Sequence, residues 1–556
     1  MHNSLKPKFF TTIKNYSREQ FMNDLTAGII VAIIALPLSI ALAISSGVTP
    51  EKGLHTAIIA GFLISFLGGS RVQIGGPTGA FMIIVYGIVT EFGVNGLILA
   101  TIMAGIIMIL MGLMKMGSVI KYIPYPITTG FTSGIALTIF SSQINDFFGL
   151  GIESIPPEFI NKWGAYIGAF SNIDFSTTIV GLLALAIILV WPKINKRIPG
   201  ALIALIVTSA IVSIFNMEVA TIGSKFGELS SKLPEMNIPA FDLNQIKMLI
   251  PPAFTIAILG SIESLLSAVV SDGMIGSKHR SNMELIAQGV ANIASGLFGG
   301  IPATGAIART VANIKNGGRT PVAGMVHAIT LLLIMLLFMP LAKMVPLASL
   351  AAVLIVVAYN MSEWREFTAL FKAPKSDIIV LLVTFIITVL IDLVVAIEIG
   401  MVLAAFLFMK RMADVADIQI ADFDAGEETD GDLSEILPYY DRMKSDNLKG
   451  IQIYKINGPF FFGATDKFLD SINELGYRTN YLVIDMHSVP AVDASALHAF
   501  KRLIRTCIKK HIVILISGIN PQPLSSLKKA ELYDMIGGDE HFFDRTEDAL
   551  DYLSDK

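Results

Sequence analysis

Charge and cysteine are both scarce in this sequence, and the two scarcities exclude different things. Only 15% of the 556 residues are Asp, Glu, Lys or Arg, against 53% hydrophobic, where a soluble globular chain carries about a quarter charged. Most of the chain is therefore not the material of a water-soluble fold. The single cysteine, Cys507, excludes an intramolecular disulfide and a cysteine-rich metal site. A cleavable leader is not expected either. Met1–Asn23 is polar and mildly basic, and the apolar stretch behind it has no short core with a cleavage site, so the first span is expected to be retained. The net charge of −4 singles out no partner, and no nucleic acid is expected among them.

Apolar length is abundant. About 20 mostly apolar residues cross a bilayer core. On that measure the first ~410 residues read as membrane-embedded and the last ~115 as a soluble domain. Turn and charge signals divide the membrane part into fourteen segments. Spans 1 to 7 are Leu25–Ser46, Leu54–Leu67, Thr78–Thr90, Gly96–Leu113, Pro126–Phe147, Thr177–Val190 and Ile198–Ile214. Spans 8 to 14 are Ala253–Asp272, Leu285–Phe298, Thr304–Ile314, Pro321–Phe338, Pro346–Tyr359, Ile378–Leu390 and Val394–Met409. Under this count Lys6, Lys8, Lys14, Arg18, Lys193, Lys196, Arg197, Lys278, Arg280, Lys410 and Arg411 share one side. The bias of cytoplasmic loops toward Lys and Arg then makes both termini cytoplasmic.

Spans 3 and 10 are too short to cross alone, and each begins at the same kind of motif. Gly75-Gly76-Pro77-Thr78-Gly79-Ala80 precedes span 3, and Gly299-Gly300-Ile301-Pro302-Ala303-Thr304-Gly305-Ala306 precedes span 10. Gly79 and Gly305 are 226 residues apart, and the same offset carries Asp24, at the start of span 1, to Ile250, at the start of span 8. Two halves of seven spans must lie in the membrane with opposite orientation, an inverted repeat. Gly and Pro break helices, and broken backbone at membrane depth is tolerated only inside protein or against a water-filled cavity. Each short helix is thus expected to start near the midplane. A helix N-terminus carries about half a positive charge and free N–H groups, so two of them facing one point make an anion site. Thr78 and Thr304 add hydroxyl donors to it.

Ionisable residues within spans are functional candidates because burying them in lipid is costly. Glu263, in the run Leu259–Ser267, and Arg309, in span 10, are the two that stand out. The repeat offset maps Glu263 onto Pro37, so the halves are chemically unequal. A carboxylate there can be protonated, pair with Arg309 or bind a cation, and Arg309 can serve as counter-charge to the anion or to Glu263. A structural Glu263–Arg309 ion pair is the plainer alternative. Asp24 is read as the cap of span 1, Asp272 as solvated, and Arg71 as interfacial.

Asp414 to Glu435 holds nine acidic residues and no Lys or Arg and reads as a solvated linker. Beyond it, strand-like runs at Ile451–Ile456, Tyr481–Asp485 and Ile512–Ser517 alternate with helical patterns at Ala464–Leu475, Ala494–Lys510 and Leu524–Ile536, a small α/β domain. It has no phosphate-binding glycine loop and no catalytic triad pattern, so regulation or assembly is expected and no enzyme activity.

Asp24-Leu25-Thr26-Ala27-Gly28 leading into Ala35–Ala41, then Gly75–Ala80, then Asn313–Gly318 behind Arg309, resemble the SulP sulfate permease family, and the tail resembles its STAS domain. The likeness spans nearly the whole chain. It implies a polytopic α-helical membrane protein with a seven-plus-seven inverted repeat, fourteen segments and a C-terminal α/β STAS domain. The implied division is a cytoplasmic segment 1–24, a transport domain 25–413 with repeats 24–216 and 250–413, an acidic linker 414–445 and a STAS domain 446–556. Spans 1–4 and 8–11 would form a core that moves like an elevator against a gate built from the others, in a homodimer in the bacterial inner membrane. The resemblance assigns anion binding to Gly76, Pro77, Thr78, Gly79, Ala303, Thr304, Gly305, Ala306 and Arg309, and coupling to Glu263 and Ser267. No cofactor is implied.

The implied activity is secondary active transport of a small inorganic oxyanion, sulfate foremost, by H+ symport. The family's bicarbonate carriers place an Asp of a sodium site at the Glu263 position and lack a basic residue at Arg309, so Glu with Arg looks more like its proton-coupled sulfate and dicarboxylate carriers. The alternatives are Na+-coupled bicarbonate uptake, with Glu263, Ser267 and Gly305 as a sodium site, and H+-coupled C4-dicarboxylate transport. Asp493-Ala494-Ser495 matches the segment phosphorylated in anti-sigma-factor antagonists. Ser495 is read here as a helix N-cap, and a soluble partner of the STAS domain is left open.

Overall fold

The computed structural model describes residues 5–118, 123–152, 155–156, 158–195, 198–233, 235–236, 239, 243–391, 393–415, 417–422, 449–463, 465, 468–469 and 479–555. The basic residues Lys196 and Arg197, most of the expected linker and most of the pattern 464–475 lie outside them. The chain divides into two compact units, Met1–Met401 and Val402–Lys556.

In the first unit every expected span has a helical counterpart. Span 1 is Arg18–Ser45 and span 2 is Pro50–Leu67. Spans 3 and 4 form one run, Met82–Leu113, entered through a 3₁₀ turn at Gly79–Phe81 and broken at Gly93. Gly93 takes φ 68° and ψ −176°, a conformation natural only to glycine. Spans 5, 6 and 7 are Tyr125–Ser142, Phe175–Ile194 and Gly200–Ile214. Spans 8 to 11 are Leu243–Ile275, Ser281–Leu297, Ile307–Lys315 and Pro321–Ala342. Spans 12 and 13 are Leu347–Met361 and Lys375–Leu390, and span 14, Leu393–Val415, continues into the second unit. Among the described residues, six helices are long and apolar enough to cross a membrane by length and composition alone.

Local chemistry explains where several spans begin. Proline opens spans 2 and 11 at a position that needs no intrahelical N–H bond. Asp174 caps span 6, accepting from the Ser176 and Thr177 amides; the Thr177 hydroxyl holds the same carboxylate and keeps it below the usual carboxylate range. The cap of span 1 is Ser17, whose Oγ accepts from Gln20 N at 3.1 Å, and Asp24 is not that cap. Asp24 is buried inside span 1, where its carboxylate accepts from the Arg319 amide (2.8 Å), the Thr320 amide (3.3 Å) and the Tyr16 hydroxyl (3.0 Å). It therefore fixes the turn that enters span 11, whose own N-cap is Thr320, with Oγ1 accepting from the Val322 amide at 3.3 Å. Asp272 is not freely solvated either: the His279 amide and the His279 Nδ1 both sit 2.7 Å from its Oδ2.

Packing sorts the spans into two groups. Span 9 lies along spans 2 and 3–4, span 8 along 3–4, and span 11 along spans 1 and 2. Span 5 packs on spans 12 and 13, and span 6 on spans 7 and 12.

In the second unit a five-stranded sheet has the order β3-β4-β5-β6-β7, the label β1–β2 being kept for a short pair in the first unit. Its strands are β3 Asp417–Asp422, β4 Ile451–Asn457, β5 Tyr481–Asp485, β6 Val513–Ser517 and β7 Phe542–Phe543. β3 pairs antiparallel with β4 and the rest are parallel. Residues 417–422 were expected in the linker. Their Asp-Ile-Gln-Ile-Ala-Asp alternation instead supports an edge strand, the local acidity notwithstanding.

The helix Ala494–Lys510 packs its apolar face, including Cys507, on one side of the sheet. Its N-cap is Asp493, whose Oδ1 accepts from Ala496 N at 2.8 Å; Ser495 is exposed in the first turn and caps nothing. The expected helix 524–536 is two, Pro521–Lys529 and Leu532–Ile536, parted by Glu531 at φ 61°.

Candidate functional site between two interrupted helices

The two Gly/Pro motifs meet. β1 (Gly75–Gly76) and β2 (Thr304–Gly305) form an antiparallel two-residue ladder with Gly75 opposite Gly305 and Gly76 opposite Thr304. All four residues are buried. Close approach is built into it: a methyl group on Gly305 would collide with the Gln73 side chain, and one on Gly76 with Arg309 Nη1. Each strand leads within three residues into a helix, Gly79–Phe81 running into span 3 and Ile307 opening span 10. Antiparallel pairing sends those helices away in opposite directions. Neither N-terminus has a side-chain cap, so the opening amides gain no bond from a capping side chain.

Arg309 and Glu263 flank the first motif without touching. Arg309 is 1% exposed, and its Nη2 donates to the Pro77 carbonyl and to Ser39 Oγ, both at 3.2 Å. Its Nε and Nη1 have no hydrogen-bond partner among the described residues. Glu263 accepts from the Thr78 hydroxyl at 2.9 Å. Adjacent residues of one motif thus hold a cation on one side and a carboxylate on the other. Among the described residues no ion pair joins Glu263 to Arg309, and the plainer alternative of a structural pair is not what the protein forms.

Several expected ligands are already engaged. The Thr304 hydroxyl donates to the Gly260 carbonyl at 2.8 Å, satisfying span 8 and leaving no hydroxyl proton for an anion. The Ala303 amide donates to Asn292 Oδ1 (2.8 Å) and the Ala306 amide to the Ile74 carbonyl (2.9 Å). Ser267 Oγ turns to span 10, 3.3 Å from Thr310 Oγ1, while Gly305 is committed to the ladder. Gly79 lies at the other group of spans, where an added methyl would strike Ile139 of span 5 and approach Met361 of span 12 to 3.3 Å. Among the described residues, Arg309 Nε and Nη1 are side-chain donors here with no acceptor, and the starts of the two short helices have no capping side chain.

Sequence reasoning gave no framework role to the residues that hold this arrangement. Gln73 Nε2 donates to Ser264 Oγ (3.0 Å) and to the Ser264 carbonyl (3.2 Å). The fully buried Glu284 of span 9 accepts from the Gly69 and Ser70 amides at 2.7 and 2.9 Å and from Gln288 Nε2 at 2.9 Å. Asn313 Nδ2 holds the Val72 carbonyl at 2.8 Å. Glu284 falls one residue before the expected start of span 9 at Leu285, so it was not among the intramembrane candidates. His327 of span 11 is also fully buried, with neither ring nitrogen bonded. The signal for both was a polar residue on an otherwise apolar helical face.

Comparison with known proteins bears on the whole arrangement. Residues 21–384 match the sulfate permease family and residues 443–549 the STAS domain. The chain is 40% identical over 539 residues to the putative sulfate transporter YvdB of Bacillus subtilis (strain 168), covering 97% of this chain and 98% of that one. It is 30% identical over 543 residues to the bicarbonate transporter BicA of Picosynechococcus sp., covering 94% and 93%. A solved structure of SLC26A9 shares the fold, with a TM-score of 0.84 at 20% identity over 99% of this chain and 93% of that one.

Proposed function

Because this chain belongs to the sulfate permease family of anion transporters, we propose that it carries a small inorganic oxyanion, sulfate first, across the membrane by H+ symport. The observation that carries the reading is Arg309: buried, unpaired with any carboxylate among the described residues, and with two free nitrogens beside the uncapped starts of spans 3 and 10. A fixed guanidinium with free N–H groups recognises an oxyanion by charge and by fork geometry. Opening amides supply further donors that need no reorganisation.

Glu263 is the coupling group. It sits one residue along the motif from the Arg309 contact, so its charge is felt at the anion without cancelling Arg309. Protonated, it removes a negative charge from beside the anion and raises the anion's affinity; ionised, it favours release. Thr78 connects the carboxylate to the start of span 3. Spans 1–4 and 8–11 carry the loaded site as one body past the spans 5–7 and 12–14, in an elevator movement. Gly79, against Ile139 and Met361, lies where those bodies slide. The chain works as a homodimer in the bacterial inner membrane, with fourteen spans and both termini cytoplasmic. The domain limits given above, 1–24, 25–413, 414–445 and 446–556, belong to the same proposal, with β3 now assigned to the STAS sheet.

Purified protein in proteoliposomes tests the proposal: labelled sulfate should accumulate under an inward pH gradient in the absence of sodium. Strict dependence on sodium overturns it. That outcome would favour the second reading, Na+-coupled bicarbonate uptake, which has the 30% identical bicarbonate transporter in its support. Accumulation of a C4-dicarboxylate in place of sulfate under the same gradient would keep the coupling and change the cargo.

A further inference from the structure

Two buried polar side chains of the first unit have free nitrogens and border the same strand, and only one of them belongs to the anion reading above. Arg309 keeps Nε and Nη1 without partners, and His327 keeps Nδ1 and Nε2 without partners. Both side chains are at most 1% exposed. Glycines bring them together. A methyl group on Gly61 of span 2 would lie 3.8 Å from His327 Cε1 and Nδ1 and 3.0 Å from the Gly75 carbonyl oxygen. One on Gly76 would collide with Arg309 Nη1 and lie 3.6 Å from Cα of Ala57. Ala57 and Gly61 are four residues apart on one helix, which is one face and about 6 Å of rise. The guanidinium and the imidazole therefore lie about one turn apart along span 2, against consecutive residues of β1, where glycines let span 2, β1 and the two side chains approach closely.

Four nitrogens with no partner among the described residues are costly in an apolar helix bundle if nothing satisfies them. A water molecule in a buried site needs two to four polar partners. Arg309 is able to donate to such a water, and the bare ring nitrogen of His327 and the Gly75 carbonyl are able to accept from it.

We propose that His327 positions Arg309 through one enclosed water and so sets the affinity of the site for its anion. His327 does not touch the anion. It acts by holding the guanidinium plane square to β1, which the two hydrogen bonds on Nη2 alone leave free to rock. The inference rests on Arg309 as anion ligand, and the test separates the two.

Sulfate binding to the purified full-length chain is measured by calorimetry, with KM and maximal rate from sulfate uptake in proteoliposomes. His327→Leu keeps the volume and removes both nitrogens; it should raise the sulfate KM about 10-fold with maximal rate within about 2-fold, the loss of one well-placed charged hydrogen bond. His327→Gln keeps a donor and an acceptor and should recover to within about 3-fold of the parent. On an Arg309→Gln background, His327→Leu should add nothing to the sulfate dissociation constant, because coupled residues are non-additive. Melting temperature without sulfate checks that each variant folds. Equal losses in His327→Leu and His327→Gln, or a full extra loss on the Arg309→Gln background, overturn the inference. If Arg309→Gln binds sulfate as the parent does, the anion reading fails and takes the inference with it. If Arg309→Gln loses binding while His327→Leu is silent, only the inference fails.

Discussion

The two halves of the membrane unit carry the same motif and put it to different use. Thr78 and Thr304 are repeat mates, yet Thr78 stands at the mouth of a helix with its hydroxyl on Glu263, whereas Thr304 is a strand residue with its hydroxyl on the Gly260 carbonyl. The first half supplies backbone and shape. The second supplies charge, since Glu263 falls opposite Pro37 and Arg309 opposite Ile83 at the same offset of 226. A duplicated scaffold thus carries unequal chemistry on its two sides, and the contrast says which residues to change.

The largest effect is expected from the charged side. Arg309→Gln should weaken sulfate binding about 100-fold, the upper range for hydrogen bonds to a charged group, while Ile83→Met at the mate position leaves it within about 2-fold. Equal losses at the two positions would erase the asymmetry. Glu263→Gln should abolish pH-gradient-driven accumulation of sulfate and leave the melting temperature of the protein within a few degrees. Accumulation that survives moves coupling to another group.

Smaller effects separate framework from function. Asp24→Asn removes the charge that gathers the start of span 11 and should cost about 1–3 kcal/mol of stability, read as a lowered melting temperature. The threonine pair comes next: Thr304→Val should cost about 1 kcal/mol of stability, with the pH dependence of uptake unchanged. Thr78→Val should instead displace that pH dependence. Identical behaviour of the two variants would mean that the mates still share one role.

The smallest effect lies in the second unit. Burial pushes the Cys507 thiol up to about 12, so at pH 7 its thiolate fraction is on the order of 10⁻⁵. Maleimide should label it only after unfolding. Rapid labelling of the native protein would show that the helix Ala494–Lys510 opens.

Much of this was legible in the sequence because it follows from long patterns. Apolar length marks spans, and two Gly/Pro motifs at one offset mark the crossing point of an inverted repeat. The pairing of Gly75–Gly76 with Thr304–Gly305 was not legible. The motifs align Gly75–Gly76 with Gly299–Gly300, and nothing local says that the ladder is shifted along the second copy. Asp24 misled because a carboxylate at the start of an apolar run resembles a cap, and the amides it serves are 295 and 296 residues away. Residues 417–422 misled in the opposite way: acidity suggested solvation, while Ile418 and Ile420 already alternated as a strand does. Where the deciding partner is distant in the chain, composition is silent.

The two-residue ladder also bears on how the protein is made. Gly75 and Gly305 are 230 residues apart. At about 5–20 residues per second, a ribosome needs on the order of 10–45 s to deliver the partner of the first strand. During that time Gly75–Gly76 is at membrane depth with its amides and carbonyls exposed to whatever the insertion machinery provides, since lipid offers no hydrogen bonds. A nascent chain arrested between spans 7 and 8 should therefore be a client for chaperones and proteases of the membrane, however well its individual helices have inserted. The carrier becomes self-sufficient only when the second half arrives to close the backbone of the first.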